Sequence, residues 1–232
     1  MGRPFRVEVE AFLASQNPDR CRQYLAGHRK ILEDHGFDHF ITGTDYWIES
    51  PDVLVVMAYS AHDRNRIFGG LRFEKRKEDN LLPLEKVLNQ IDPLVSPIIQ
   101  RETPRGTGEM CGLWNAQEVG GRNISLVLAT ALFAAIPQTG AHSSFIFNAR
   151  YTFRITRRLG FKQIDELPNN GIYKYPNDAF KAFLWQHKDL HDLKDLANLE
   201  RESVASLRQN WKQERNESLY YPGMRVHYNL EI

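Results

Sequence analysis

Most of the residues that could do chemistry lie between Gly106 and Phe161. Gly120-Gly121-Arg122-Asn123 is a turn of small and polar residues that leads through Ile124 into a helix predicted over 125–135. The first N–H groups of a helix have no partner inside it and sit at the positive end of its dipole. Gly120, Gly121, Arg122, Asn123, Ile124 and Ser125 therefore form a place for phosphate or another polar carrier group. A strand, glycine turn and helix is also an ordinary tight connection in α/β proteins, and the turn alone does not choose. Cys111 could act as a nucleophile if a base lowered its pKa, but no His is close in sequence, and a strand cysteine also reads as a small buried hydrophobe. Arg150, Arg154, Arg157 and Arg158 are spaced along one helix, where subsets share a face. They read as a basic docking face or as a solvated helix whose last-turn arginines oppose the dipole. The eight histidines are scattered, with no pair at metal-ligand spacing, so no metal is expected.

These residues need a scaffold, and the hydrophobic pattern supplies one. Phe5 to Phe12 alternates and predicts a first strand. Asn17 as cap and Pro18 at the first helical position start a helix that runs to about His35 and is closed by Gly36. Strands are expected over Val53–Ser60 and Ile67–Lys75, joined by a polar hairpin, with Gly69-Gly70 marking a bulge or a close backbone approach. A Leu/Pro-rich insertion from Leu81 to Ile99 predicts short helix plus loop. Then come a strand ending near Trp114, the turn and its helix, a strand over Ser143–Phe147 and a second helix stopped by Gly160. Strands at Gly160–Asp165 and Gly171–Tyr175 follow. Residues 179–217 read as a long charged helical region, taken as two helices, and Met224–Ile232 alternates as a terminal strand.

With 232 residues and 42% hydrophobic content, the chain can fill one core. Thirty basic residues against 29 acidic leave a formal charge of +1, which gives no global reason to expect a nucleic-acid partner. Two distant cysteines match no metal or redox spacing, and no apolar run approaches a membrane span. A reduced, cytoplasmic protein without a leader is the expectation.

The order of elements around the glycine turn resembles the GCN5-related N-acyltransferase superfamily, in which such a turn holds the pyrophosphate or phosphopantetheine of an acyl thioester. The resemblance implies an α/β (α+β) fold with a mixed, mostly antiparallel sheet flanked by helices. The family pattern falls on Gly120, Asn123 and Ser125, and only Ser125 is near to it. The carrier pocket is therefore expected to depart from the standard coenzyme A one. Further residues look like the acyl-homoserine-lactone synthases and the long-chain N-acyl amino acid synthases. These are Arg29 before Gly36-Phe37, the acidic Asp45, Glu49 and Asp52, the Gly-x-x-Arg-aromatic strand at Gly69–Phe73, the Leu-Pro insertion and Glu109. By position, Arg29, Arg72 and Glu109 would belong to the substrate cleft, with Trp114 added to the substrate side. Two departures stand out: Gly112 replaces the arginine three residues after the central-strand Glu, and Thr156 replaces the usual Tyr proton donor. Tyr151, one turn earlier, is the nearest substitute for that donor.

The implied reaction moves an acyl group from acyl-coenzyme A or an acyl carrier protein thioester to the amine of an amino acid or similar small metabolite. A thioester is already activated, so the enzyme must position the amine, remove a proton and stabilise the oxyanion. Glu109 is the first candidate base and Glu118 the second. An acidic carrier protein would dock on Arg150, Arg154, Arg157 and Arg158. The acyltransferase domain is expected over 1–176 and a helical extension ending in a strand over 177–232, packed on the same domain or on a second copy. Two rivals stay open, a non-catalytic thioester-binding module and a protein-modifying acetyltransferase that uses acetyl-coenzyme A.

Overall fold

The computed structural model describes residues 5–36 and 45–232; Phe37, the aromatic of the Gly36-Phe37 pair, lies outside them. In chain order the elements are β1 (Phe5–Leu13), α1 (Pro18–Asp34), β2 (Val53–Ser60), β3 (Asp63–Lys75), α2 (Pro83–Leu88), α3 (Val95–Glu102), β4 (Gly108–Asn115) and α4 (Ile124–Ala135). They continue as β5 (Ser144–Ala149), α5 (Phe153–Arg158), β6 (Lys162–Gln163), β7 (Ile172–Lys174), β8 (Lys181–His187), α6 (Asn198–Gln209), β9 (Lys212–Asn216) and β10 (Met224–Asn229). Strands pair in parallel at β1/β10 and β4/β5 and antiparallel at β1/β2, β9/β10, β5/β8, β6/β8 and β7/β8. The result is the mixed, mostly antiparallel α/β architecture expected from the sequence. Among the described residues no helix is long and apolar enough to cross a membrane.

The chain forms two compact units, one of Met1–Arg72, Gly112–Ala135 and Ser203–Ile232, the other of Phe73–Cys111 and Ile136–Glu202. In the first, β1 lies between β2 and β10, with Val7 opposite Ser60 on one side and Val226 on the other. β2 is buried along its whole length, as its unbroken apolar run requires. Apart from Ser125, α4 is buried all round, which makes it a core helix. The Asn17 side chain accepts from the Arg20 N–H at 3.3 Å and starts α1, and Gly36 at φ +75° ends it. The apolar side of α1 puts Cys21, Tyr24 and Leu25 against Val53, Val55, Met57 and Trp114.

In the second unit β8 pairs with β5 over six residues and carries β6 and β7 on its other side. Helices α2 and α3 contribute Leu84, Leu88, Val95 and Ile99 to a core with Phe145, Ile164 and Leu184. Two expectations are corrected here. Residues 179–217 are not two helices but strand β8, a loop, the single helix α6 and strand β9. Phe183 and Leu184, read as part of a helix, instead belong to β8, where Leu184 and Trp185 are buried against neighbouring elements on both faces. The second helix is also short. Arg150–Thr152 form a 3-10 turn and only Phe153–Arg158 are α-helical.

Candidate active site

The turn before α4 is built by backbone bonds in the first unit. Gly120 N–H donates to Gln117 O at 2.9 Å and Arg122 N–H to Val119 O at 3.1 Å. Gly121 at φ +75° has open space where a side chain would stand. Asn123 takes the left-handed conformation at φ 56°, which Asn tolerates better than most residues. Its carbonyl accepts from Leu126 and Val127, and its amide donates to Tyr220 O at 2.6 Å. Ser125 Oγ donates to Asn115 Oδ1. Arg122 lies 4.3 Å over the Phe5 ring. Glu118 is spent on Arg66 through bonds of 2.6–3.0 Å, and this hydrogen bonding holds its carboxyl below the usual range.

An aromatic cluster forms in the same unit. Tyr24 on α1 meets Trp47 edge-on at 5.4 Å and Trp114 at 6.0 Å, and its hydroxyl donates to the Gly112 carbonyl. Arg72, 8% exposed, stacks 5.0 Å over Trp47. Gly112 sits at φ +69°, and any side chain there would collide with the Arg72 guanidinium and the Tyr24 hydroxyl. An arginine at 112 has no room for that reason. The structure thus brings Arg72 and Trp114 together through Tyr24 and Trp47, which sequence reasoning had not singled out. Their signal was the pair Gly27 and Gly70, whose missing side chains leave space for the Trp114 and Tyr24 rings. His28 is pushed down to about 4 by burial first and by the Arg72 charge second. Arg29 Nε and the indole N–H groups of Trp47 and Trp114 are buried without an acceptor among the described residues. Buried donors are seldom left so, and three in one unit suit an acceptor brought by a ligand. Glu49 reaches Arg22 at 3.7 Å on the surface, and Asp45 is exposed.

Glu109 belongs to the second unit. It is 4% exposed and its Oε2 accepts the Leu84 N–H at 2.8 Å, in the first turn of α2. Nearby, Glu85 holds Arg76 at 2.6 Å and accepts from Ser96 Oγ at 2.7 Å. In the β4/β5 ladder Glu109 stands opposite Phe145. Burial, and then the Glu109 charge, push the Tyr175 phenol up. Tyr175 was missed because it follows β7, some 66 positions along the chain, and nothing local marks it. Cys111 Sγ donates to Glu74 Oε1 at 3.7 Å, so it serves as a thiol facing a buried carboxylate. Tyr151 is 87% exposed. Arg150, Arg154 and Arg157 are exposed, whereas Arg158 pairs with the buried Glu200 at 2.8 Å.

Neither a protein-family model nor a curated protein matches the chain. Solved structures do. FeeM, an N-acyl amino acid synthase from uncultured soil microbes, superposes with a TM-score of 0.59 at 14% identity, covering 85% of this chain and 98% of its own. The CoA-dependent acyl-homoserine lactone synthase BjaI, solved with SAM and isopentyl-CoA, gives 0.53 at 11% identity over 88% and 90%. An acyl-CoA N-acyltransferase from Pseudomonas aeruginosa gives 0.51 at 11% identity over 78% and 99%.

Proposed function

We propose that this chain, which has the fold of the GCN5-related N-acyltransferases, moves an acyl group from a coenzyme A or carrier-protein thioester to the amine of an amino acid or similar small metabolite. The observation that carries this reading is Glu109, a buried carboxylate on β4 where that strand pairs with Phe145 of β5. Its Oε2 accepts the Leu84 N–H, and the carboxylate is the proposed base that takes a proton from the acceptor ammonium. The freed amine attacks the thioester carbonyl, the C–N bond forms, the C–S bond breaks to release thiolate, and the nitrogen gives its second proton to the tyrosinate left once the phenol has protonated the thiolate. Tyr175, whose phenol is kept protonated by burial and by Glu109, is the proposed donor of the proton the thiolate takes up; Tyr151 is the alternative phenol. The turn from Gly120 to Ser125 would take the anionic part of the carrier at the start of α4. Arg29, Arg72 and the indole groups of Trp47 and Trp114 would face the oxygens of acceptor or thioester. Exposed Arg150, Arg154 and Arg157, with Arg158 partly given to Glu200, would offer a docking face to an acidic carrier protein.

A second reading, a thioester-binding module without turnover, draws support from the bond between Glu109 and Leu84, since a carboxylate that caps a helix already has a structural role. Glu109→Gln separates the two, because an amide oxygen can still accept the Leu84 N–H. The chain is given acetyl-coenzyme A, long-chain acyl-coenzyme A and acyl carrier protein thioesters, each with a pool of amino acids, and free thiol and N-acyl product are measured. Turnover by the wild type that falls about 100-fold in Glu109→Gln, with thioester binding retained, is the expected result. Thioester binding with no thiol release from any pair overturns the enzymatic reading.

A further inference from the structure

The last stretch of the first unit, Ser203–Ile232, takes hold of helix α4 at both ends. At the C-terminal end, Arg208 of α6 donates from Nε to the Ala134 carbonyl at 3.3 Å and from Nη2 to the Phe133 carbonyl at 3.2 Å. The last carbonyls of a helix lack partners within it, and a cation there opposes the dipole. At the N-terminal end, the connection between β9 and β10 lies against the turn that starts α4. The Asn123 amide reaches the Tyr220 carbonyl at 2.6 Å. Arg122 lies 4.3 Å over the Phe5 ring and 5.6 Å over the Tyr221 ring, and these two rings meet edge-on at 6.0 Å. Among the described residues no carboxylate pairs with Arg122, and Glu118 of the same turn is given to Arg66. The connection is itself fixed. The Tyr220 and Tyr221 N–H groups donate to Glu217 O at 2.9 and 3.2 Å. The Glu217 carboxylate, 2% exposed, accepts from Arg215 Nε at 2.8 Å and from the Tyr228 hydroxyl at 3.1 Å. Asn123 stands in the left-handed region at φ 56°, and such a residue persists where its surroundings over-determine it.

We propose that the terminal stretch is a positioning element of the acyl-carrier site, with Tyr220 and Tyr221 as its positioning residues. The Tyr220 carbonyl sets the backbone of the turn through Asn123. Phe5 and Tyr221 hold the Arg122 guanidinium for the phosphate of a phosphopantetheine group, the part that coenzyme A and carrier-protein thioesters share. This role rests on the reading of Gly120 to Ser125 as the carrier turn. A residue 97 positions after Asn123 thus decides how that turn is presented.

Isothermal titration calorimetry of the full chain with 4′-phosphopantetheine and with pantetheine, which lacks only the phosphate, tests it. The ratio of the two affinities reads the phosphate alone, and a general loss of stability does not move it. The wild type should favour the phosphorylated form by at least about tenfold, which one hydrogen bond to a charged group supplies. Asn123→Gly keeps access to the left-handed backbone and lacks the amide, and Tyr221→Leu lacks the ring. Each should bring the ratio down to about threefold with pantetheine affinity unchanged, whereas Tyr221→Phe should match the wild type. A ratio unchanged in both folded variants, or one as low in Tyr221→Phe as in Tyr221→Leu, overturns the positioning role and leaves the carrier turn standing. A wild type that binds the two compounds alike, or binds neither, overturns the carrier-turn reading, and the positioning role falls with it. Should Asn123→Gly fail to fold, Tyr221→Leu against Tyr221→Phe decides the matter.

Discussion

Single residues on α1 carry two sharp expectations. In an open helix Gly→Ala stabilises by about 1 kcal/mol. At Gly27 a methyl group would overlap the Trp114 ring, which is 5% exposed, and overpacking costs about 1–3 kcal/mol. Gly27→Ala should therefore lower the urea midpoint by about 1 kcal/mol equivalent, against the sign of helix propensity. A gain in stability would mean that Trp114 does not pack there. His28 titrates near 4 in the fold against an ordinary value of 6.5. The unfolded state then binds its proton first as pH falls, so the contribution is complete above about 6.5 and is lost on the way down to 4. By pH 5 the loss is about 2 kcal/mol. His28→Gln should flatten this slope when urea unfolding is compared at pH 7.5 and pH 5, and an unchanged slope would show that His28 is not the group responsible. Gly70 was legible in the sequence as a mark of close approach, but the Tyr24 ring that approaches it was not, and Gly27 was not singled out at all. Trp114 and Gly27 are far apart along the chain, and only packing joins them.

At the scale of elements, α5 shows how one helix divides its arginines. Arg154 points to solvent, while Arg158 neutralises Glu200, which is 0% exposed on α6. Removing one partner of a buried pair strands the other charge and costs about 3–5 kcal/mol, whereas exposed substitutions fall within about 0.5 kcal/mol. Arg158→Ala should therefore lower stability by about 3 kcal/mol and Arg154→Ala should leave it nearly unchanged, read as midpoints of chemical unfolding. Equal effects of the two would refute the division. The four arginines are equivalent in a spacing argument, because helical periodicity says which of them share a face and not which face meets a carboxylate. The same limit turned β8 into an expected helix. A run such as Phe180-Lys-Ala-Phe-Leu-Trp satisfies more than one period, and neighbouring strands β5 and β6 decide it by hydrogen bonding along both edges.

At the scale of the molecule, the first unit is assembled from three separate stretches of chain, and its last stretch closes the sheet. β10 pairs with both β1 and β9 and buries Met224, Val226, Tyr228 and Leu230 to 1% exposure or less. Ending the chain at Gly223 removes these four side chains and the parallel partner of β1, which keeps only β2. A truncated protein should lose its cooperative thermal transition by circular dichroism, whereas removing only Glu231 and Ile232 should shift it little, since they contribute an exposed bridge to Lys212. A cooperative transition retained in the longer truncation would show that β10 is dispensable to this core. The alternation from 224 to 232 announced a strand, but nothing in it announced a parallel partner near the other end of the chain.

The sequence by itself determined what depends on neighbours a few residues apart. That covers β1 and its alternation, the Asn17-Pro18 start and Gly36 end of α1, the unbroken apolar runs of β2 and α4, the turn from Gly120 to Asn123, and a mixed α/β fold class. These follow from backbone preference and from the period with which apolar residues must face a core. The tertiary structure alone decided which groups meet. It put Arg72 and Tyr24 where a side chain at 112 would stand, set Tyr175 within the field of Glu109, tied Glu109 to α2, and gave Arg158 to Glu200. Those pairs are separated by some 25 to 90 positions, and the contact between them is chosen by the packing of whole elements, which no local pattern encodes.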